Sequence, residues 1–363
     1  MRAVLFLLSI TIAVLSVMFR DLVHSTLAPL YAIIKNTNTT TTTSKFEGLP
    51  VIPPEFHSSA STDMSVARAI QKTFLAVEKA EGAGARVRRS IGVPQLRYFS
   101  PFLMLDHFSA SEGAGFPDHP HRGQETISYC LSGAIDHEDF NGGKGRIGAG
   151  DLQFMTAGKG IMHSEMPVFN EDGSPTTGIQ LWVDLPKKLK YCEPRYRDLK
   201  AAEIPQVNID EGKVNVKVIS GQSHGVDSVK DLAYTPVWLF DIDIKPGGKI
   251  TQQLPKGWNA FAYIFSGTAK FGAGNLTAIE KLHIVVFEQE GDEVYIEVDA
   301  NATENAHFVL IAGQPLDQKV VQYGPFVVTS QEEVHQAMMD FRTQTNGFER
   351  ARGWQSEIGK GMV

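Results

Sequence analysis

At 363 residues the chain has room for about two domains of ordinary size and for a core that needs no disulfide staples. A hydrophobic fraction of 42%, with 9% aromatic and 21% charged residues, excludes wholesale disorder, collagen, coiled coil and a polytopic membrane protein. Lys and Arg number 34 against 41 Asp and Glu, so a net charge of -7 repels phosphate backbones, and with no nucleic-acid-binding motif present direct nucleic acid binding is not expected.

Residues 1-63 read as an N-terminal extension. The apolar segment 3-19 is uncharged between Arg2 and Arg20, and as a helix it would run about 25 Å, the length of a short membrane span or a long signal-peptide core. Signal peptide and membrane anchor both stand as readings, and so does a leader upstream of a start at Met64 that the mature protein lacks. A retained anchor would exclude a nuclear location. The Thr-rich stretch 36-44 has no apolar residue and reads as a solvated linker. Sequons at Asn38, Asn275 and Asn301 would become glycosylation acceptors on a secretory route.

From about Gln124 onward, short β-rich runs alternate with Gly, Pro, Asn and Asp, the pattern of a sandwich or barrel. Expected strands are Thr126 to Leu131, Asp151 to Met155 and Ile179 to Leu185, then Val237 to Ile244, Ala260 to Phe265, Ile284 to Glu288, Glu293 to Val298 and Phe308 to Ile311. Cys130 falls inside one of these apolar runs and Cys192 outside them; two cysteines are too few for a disulfide framework. Gln331 to Phe341 has helical spacing, with Val334, Ala337, Met338 and Phe341 on one side, and is expected to form a C-terminal helix. Tyr129-Cys130-Leu131-Ser132-Gly133 and Tyr263-Ile264-Phe265-Ser266-Gly267 share Tyr-x-x-Ser-Gly, each followed by a Gly-Asp turn at Gly150-Asp151 and Gly291-Asp292. Two copies of one β-barrel explain the repeat most economically.

Two groups stand out among the eleven histidines: His119-Pro120-His121, with Glu125 four residues on, and His163-Ser164-Glu165. Spacing of i,i+2 on an extended strand puts both side chains on one face, about 7 Å apart along the backbone. The stretch from Gln124 to Met162 is long enough to return the second pair to the side of the first, giving three imidazoles and a carboxylate in one pocket. Either Glu125 or Glu165 has the parity to be that carboxylate. Imidazoles with a carboxylate favour an ion such as Fe(II) or Mn(II), and four protein ligands leave open positions that a structural zinc site would not have.

At these residues the chain becomes recognisable. Phe102-Leu103-Met104-Leu105-Asp106, Phe116-Pro117-Asp118-His119-Pro120-His121-Arg122-Gly123, Gly150-Asp151-Leu152-Gln153-Phe154-Met155-Thr156-Ala157-Gly158 and His163-Ser164-Glu165-Met166-Pro167 closely resemble the pirin family of the cupin superfamily. The resemblance continues through Val321-Gln322-Tyr323-Gly324-Pro325-Phe326 to Asn346-Gly347-Phe348-Glu349. It implies an all-β fold of two tandem cupin (jelly-roll) barrels with a short C-terminal helix: a metal-binding cupin over 64-200, a metal-free cupin over 201-350 and a tail over 351-363. It also implies a monomer holding one Fe(II)/Fe(III) in the N-terminal cupin through His119, His121, His163 and Glu165, which leaves Glu125 as a pocket residue that does not touch the metal. Counting back from the two repeat tyrosines matches His119 and His121 to Gln253 and Pro255, neither a good iron ligand, and leaves His307 a structural role. His107, where pirins usually carry an acidic residue, reads as a surface histidine.

Two activities follow from the resemblance. One is a quercetin 2,4-dioxygenase, in which Glu165 takes the flavonol proton and dioxygen opens the heterocyclic ring. The other is a nuclear redox-sensing cofactor that binds transcription factors according to the iron's oxidation state. For the latter, Arg86, Arg88, Arg89 and Arg97, and Lys187, Lys188, Lys190, Arg195, Arg197 and Lys200, form two basic clusters that read either as a solvated rim or as a docking surface for an acidic partner.

Overall fold

The computed structural model describes residues 65–360 apart from 112, 169 and 230–232. The extension 1-63, with segment 3-19, the linker 36-44 and Asn38, lies outside the described residues. Among those described, no helix is long and apolar enough to cross a membrane.

The chain folds as two jelly-roll barrels, each made of a seven-stranded and a four-stranded antiparallel sheet. In the first barrel the large sheet runs Arg195–Leu199, Leu152–Thr156, Gln124–Ser132, Thr176–Asp184, Phe102–Ala110, Ala85–Ile91 and Val77–Glu81 from edge to edge. Its small sheet runs Phe116–His121, Ile161–Pro167, Ala134–Asp139 and Lys144–Gly148. The second barrel repeats this plan. Ile70–Leu75, His283–Phe287, Asn259–Ser266, Ala306–Gly313, Val237–Ile244, Val214–Ser220 and Gln206–Ile209 form the large sheet, and Lys249–Gln253, Glu293–Glu297, Thr268–Phe271 and Thr277–Glu280 the small one.

The large sheets pack face to face. Leu105, Ile127, Leu152, Phe154, Ile179 and Leu181 of the first meet Leu239, Phe261, Ile284, Val286, Val309 and Ile311 of the second in one apolar core. Both repeat tyrosines are fully buried in this layer. Tyr129 OH reaches across to donate to Asp241 at 2.5 Å, and Tyr263 OH reaches the other way to His107 Nδ1 at 3.2 Å. The glycine ending each repeat is required by its turn. Gly133 and Gly267 have φ of +74° and +71°, and a Cβ would fall 2.3 Å from Thr176 Oγ1 in one and 2.2 Å from the Asn305 carbonyl in the other.

Each end of the described chain crosses to the opposite barrel. Ile70–Leu75 pairs with His283–Phe287 of the second. The helix Gln331–Thr343, capped by Ser330 and Glu333, starts after the second barrel, and its Ala337, together with Phe326 before the helix and Phe348 after it, packs on Met155, Ala157 and Ile161 of the first. The expected strands and helix are present. Four strands ahead of Gln124, from Ile70 to Ala110, were not anticipated: the first two are largely exposed, the second of them also rich in charge, so they lack an alternating pattern.

Candidate metal centre

His119 and His121 stand on the edge strand of the small sheet and His163 and Glu165 on its neighbour, with His163 opposite His119 and Ile161 opposite His121. The edge position is what admits Pro117 and Pro120, since a proline there forfeits no ladder hydrogen bond. After His163 the register slips, so that Glu165 lies opposite Phe116. The three histidines present ligand nitrogens all within 4.8 Å of one another, and no other such group of His, Cys, Asp or Glu occurs among the described residues.

Two of the rings are fixed through the nitrogen that points away. His119 Nδ1 donates to the Pro117 carbonyl at 2.8 Å. With the Gln124 amide turned so that its oxygen faces the ring, His121 Nδ1 donates to it at 2.9 Å while the amide NH2 reaches the Pro325 and Arg122 carbonyls. Each bond selects the tautomer whose Nε2 lone pair is free, the arrangement second-sphere acceptors impose on metal-binding histidines. Trp182 meets the His121 ring at 5.0 Å between centroids, nearly perpendicular. Burial, with His119 alongside, pushes His121 well below the usual imidazole range; burial with His119 and His121 does the same to His163, so both offer neutral nitrogens.

The donor set fits a cation. His119 Nε2 and His163 Nε2 lie 3.0 Å apart, a separation at which two bare lone pairs repel. Two nitrogens about 2.1 Å from a shared ion and at right angles around it are about 3.0 Å from each other. His163 Nδ1 is buried and has no hydrogen-bond partner among the described residues.

Glu165 is not in the three-histidine group. Its carboxylate accepts from Ser128 Oγ at 2.7 Å and from Gln180 Nε2 at 3.1 and 3.3 Å. Ser128 and Gln180 escaped the sequence reading, although inward parity on the buried strand Gln124–Ser132 singles out Gln124, Thr126 and Ser128 as polar residues on a barrel's inner face. His137 escaped it too; it lies opposite Glu165 on the next strand, with Nε2 3.0 Å from Asp198 Oδ2. Glu125, expected in the pocket, turns instead to Thr156 Oγ1 at 2.7 Å and to the Tyr234 and Thr235 amides, both at 3.1 Å, tying the first barrel to the segment that enters the second. Burial raises its pKa, with these donors opposing.

Family models match the chain as Pirin over residues 84–183 and as the Pirin C-terminal cupin domain over 239–347. Pirin of Homo sapiens is 46% identical over 297 residues, spanning 82% of this chain and 100% of the human protein. The chain belongs to the pirin family. A pirin-like protein of Solanum lycopersicum is also 46% identical, over 301 residues, with 82% and 100% of the two chains covered. Among solved structures, a quercetin 2,3-dioxygenase from Acinetobacter baumannii superimposes with a TM-score of 0.70 at 29% identity, covering 77% of this chain and 98% of that one.

In this pirin the second barrel differs in detail from what counting along the repeat predicts. Gln253 is exposed at a strand end, and the inward positions are Ile250 and Gln252, facing Ile296 and Val294. The link from the small-sheet strand to the repeat strand is five residues long there, against two in the first barrel, which shifts the parity. His107 is no surface histidine. It packs between the barrels against Tyr263 and Phe265, and burial, with the charges of Arg88 and His307, lowers its pKa to about 4. His307 bonds Asp241 at 2.5 Å, a structural role. The basic clusters are largely neutralised internally: Arg86 and Arg88 pair with Glu78, Arg89 with Glu81 and Asp106, Lys190 with Asp184, and Lys200 with Asp151.

Proposed function

We propose that the first barrel holds one iron ion through His119, His121 and His163, with Glu165 completing the set, and that the protein is a dioxygenase for flavonols of the quercetin type. The observation that carries this reading is the convergence of three imidazoles, two of them buried, on one point inside a polar barrel. The 29% identity to a quercetin dioxygenase over most of both chains supports the substrate class. Iron bound there would supply redox chemistry with dioxygen and open positions for a chelating substrate.

The chain's own residues have separable tasks. His119 and His121 are preset by Pro117 and Gln124, so the site needs little rearrangement to bind. Glu165 is the proton acceptor for the flavonol hydroxyl: Ser128 Oγ and Gln180 Nε2 both donate to it, which orients the carboxylate. Trp182 walls the His121 side with an apolar surface suited to a flat aromatic ligand.

The test is oxygen consumption and carbon monoxide release by iron-loaded protein given quercetin. Glu165→Ala is expected to lower turnover by about 100-fold or more. No turnover by wild-type protein carrying one iron per chain would overturn the dioxygenase reading. The iron-dependent transcription-cofactor reading would then be examined by recovering partners with ferrous and ferric protein.

A further inference from the structure

Several outward residues beside the candidate ligands meet the last thirty or so residues of the chain. Asp118, just before His119, accepts from Ser356 Oγ at 2.5 Å and from the Ser356 amide at 3.1 Å. Arg122, just after His121, is fully buried and donates to Asp340 Oδ2 at 2.7 Å, the Asn346 carbonyl at 2.5 Å and the Lys159 carbonyl at 2.6 Å. Ser164, between His163 and Glu165, faces Gly359 so closely that a Cβ there would lie 3.2 Å from its Oγ and 3.2 Å from Asp118 Oδ1. Glu138, opposite Ser164, accepts from the Glu357 and Ile358 amides at 2.8 and 3.4 Å.

The arrangement answers a mechanical need. Phe116–His121 is an edge strand with two prolines, held in its sheet from one side only. Nothing in the sheet fixes its free side, yet two ligands depend on it. The chain supplies the missing support after completing the second barrel: Arg122 exchanges backbone hydrogen bonds with Pro325 and Val327, the helix presents Asp340, and the tail presents Ser356. Asp340 is itself oriented by Gln336 and Asn346, each donating at 2.7 Å.

We propose that this C-terminal return is a brace that sets the metal geometry, with Ser356 and Asp340 as positioning residues for His119 and His121. The proposal rests on the reading that the three histidines hold a metal. It predicts that metal retention depends on side chains that touch no ligand, as outer-sphere partners elsewhere change metal affinity by about 10- to 100-fold.

The experiment uses the full chain loaded with cobalt(II) as a spectroscopic probe, with release into a chelator and the ligand-field spectrum as readouts. Ser356→Ala and Asp340→Asn are expected to release cobalt about tenfold faster with a changed spectrum. Ser356→Thr, which keeps the hydroxyl, should restore slow release. Asn305→Ala, which loses a hydrogen bond to Asp243 in the second barrel, should behave as wild type. Wild-type release from both Ser356→Ala and Asp340→Asn, or equal acceleration by Asn305→Ala, would overturn the brace. Failure of the wild type itself to bind cobalt would instead overturn the metal reading. The brace would then be judged by amide hydrogen exchange over Phe116–His121 and Ile161–Pro167: faster in Ser356→Ala than in Asn305→Ala supports it, and no difference refutes it.

Discussion

The two barrels share a strand order, a sheet plan and a repeat, and their interiors are opposites. Inside the second, Val216, Phe240, Ile242, Ile264, Phe271, Phe287, Ile296 and Phe308 fill the space between the sheets. Inside the first, the corresponding layer holds His119, His121, His163, Glu165, Ser128 and Gln180. Four inward positions on the small sheet make most of the difference: Ile250, Gln252, Val294 and Ile296 on one side, imidazoles and a carboxylate on the other. A jelly roll therefore needs no ligand to close, and the chemistry is an addition to a frame that stands without it. Bracing is shared as well. The first barrel's small sheet is held by the C-terminal return, and that of the second by the segment at its other end, where Arg68 bonds the Glu293 carbonyl and Ser65 the Glu293 carboxylate.

The largest expected effect separates the barrels by their ability to hold metal. Wild-type protein should carry one metal ion per chain by elemental analysis after dialysis, and His163→Ala close to none. Stoichiometry near two would break the comparison, because it would place a second ion where Ile250 and Val294 line the interior. The complementary effect belongs to the second barrel. Phe308→Ala removes a fully buried ring packed against Phe271 and should cost about 3–5 kcal/mol in urea unfolding. Gln180→Ala in the first barrel should cost less, about 1.5–3 kcal/mol, since what it removes is hydrogen bonding to the Glu165 carboxylate rather than a packed ring. Equal losses would show that the polar barrel is as tightly consolidated as the apolar one.

The strands that bring the three histidines together were legible because His-x-His and His-x-Glu spacing leaves a mark that survives without long-range information. What that spacing left open was the acid. Glu125 and Glu165 have equivalent parity, and the destination of Glu125 is set by the Tyr234 and Thr235 amides more than a hundred residues away. The same holds for His107, whose neighbours Tyr263 and His307 come from the other barrel. Ile70–Leu75 is hidden for a related reason: its partner His283–Phe287 lies some two hundred residues on, and its own side chains are mostly exposed. Local pattern reveals a strand's face; which strand lies beside it is decided by the closure of the whole sheet.

The seam between the barrels gives an effect of intermediate size. His107 has a pKa of about 4 in the fold against an ordinary 6.5, so as pH falls below about 6.5 the unfolded chain takes up a proton that the folded chain refuses. Stability is lost progressively down to pH 4, by about 3 kcal/mol in full. His107→Gln should flatten the unfolding midpoint across that window when measured on metal-free protein. Asp241 acts lower on the scale: burial alone would raise it, but His307 and Lys217 hold it to about 2, so its contribution is present above the ordinary 3.8 and disappears only as pH falls toward 2.

The smallest expected effect tests whether the pseudo-symmetric tyrosines are equivalent. Tyr129 donates to an ionised, buried carboxylate, and Tyr263 meets an imidazole that is neutral at pH 7. A hydrogen bond to a charged group contributes about 1.5–3 kcal/mol and a neutral one about 0.5–1.5 kcal/mol. Tyr129→Phe should sit at the low end of its range, because Lys217 at 2.7 Å and His307 still satisfy Asp241 after the hydroxyl is gone. Tyr263→Phe leaves the buried His107 ring without its Nδ1 partner, which brings its cost close to that of the stronger bond. Paired urea titrations at pH 7 should therefore separate the two variants by less than about 1 kcal/mol. A wider gap would mean that one direction of crossing dominates the seam, and that the second barrel is held to the first chiefly through Asp241.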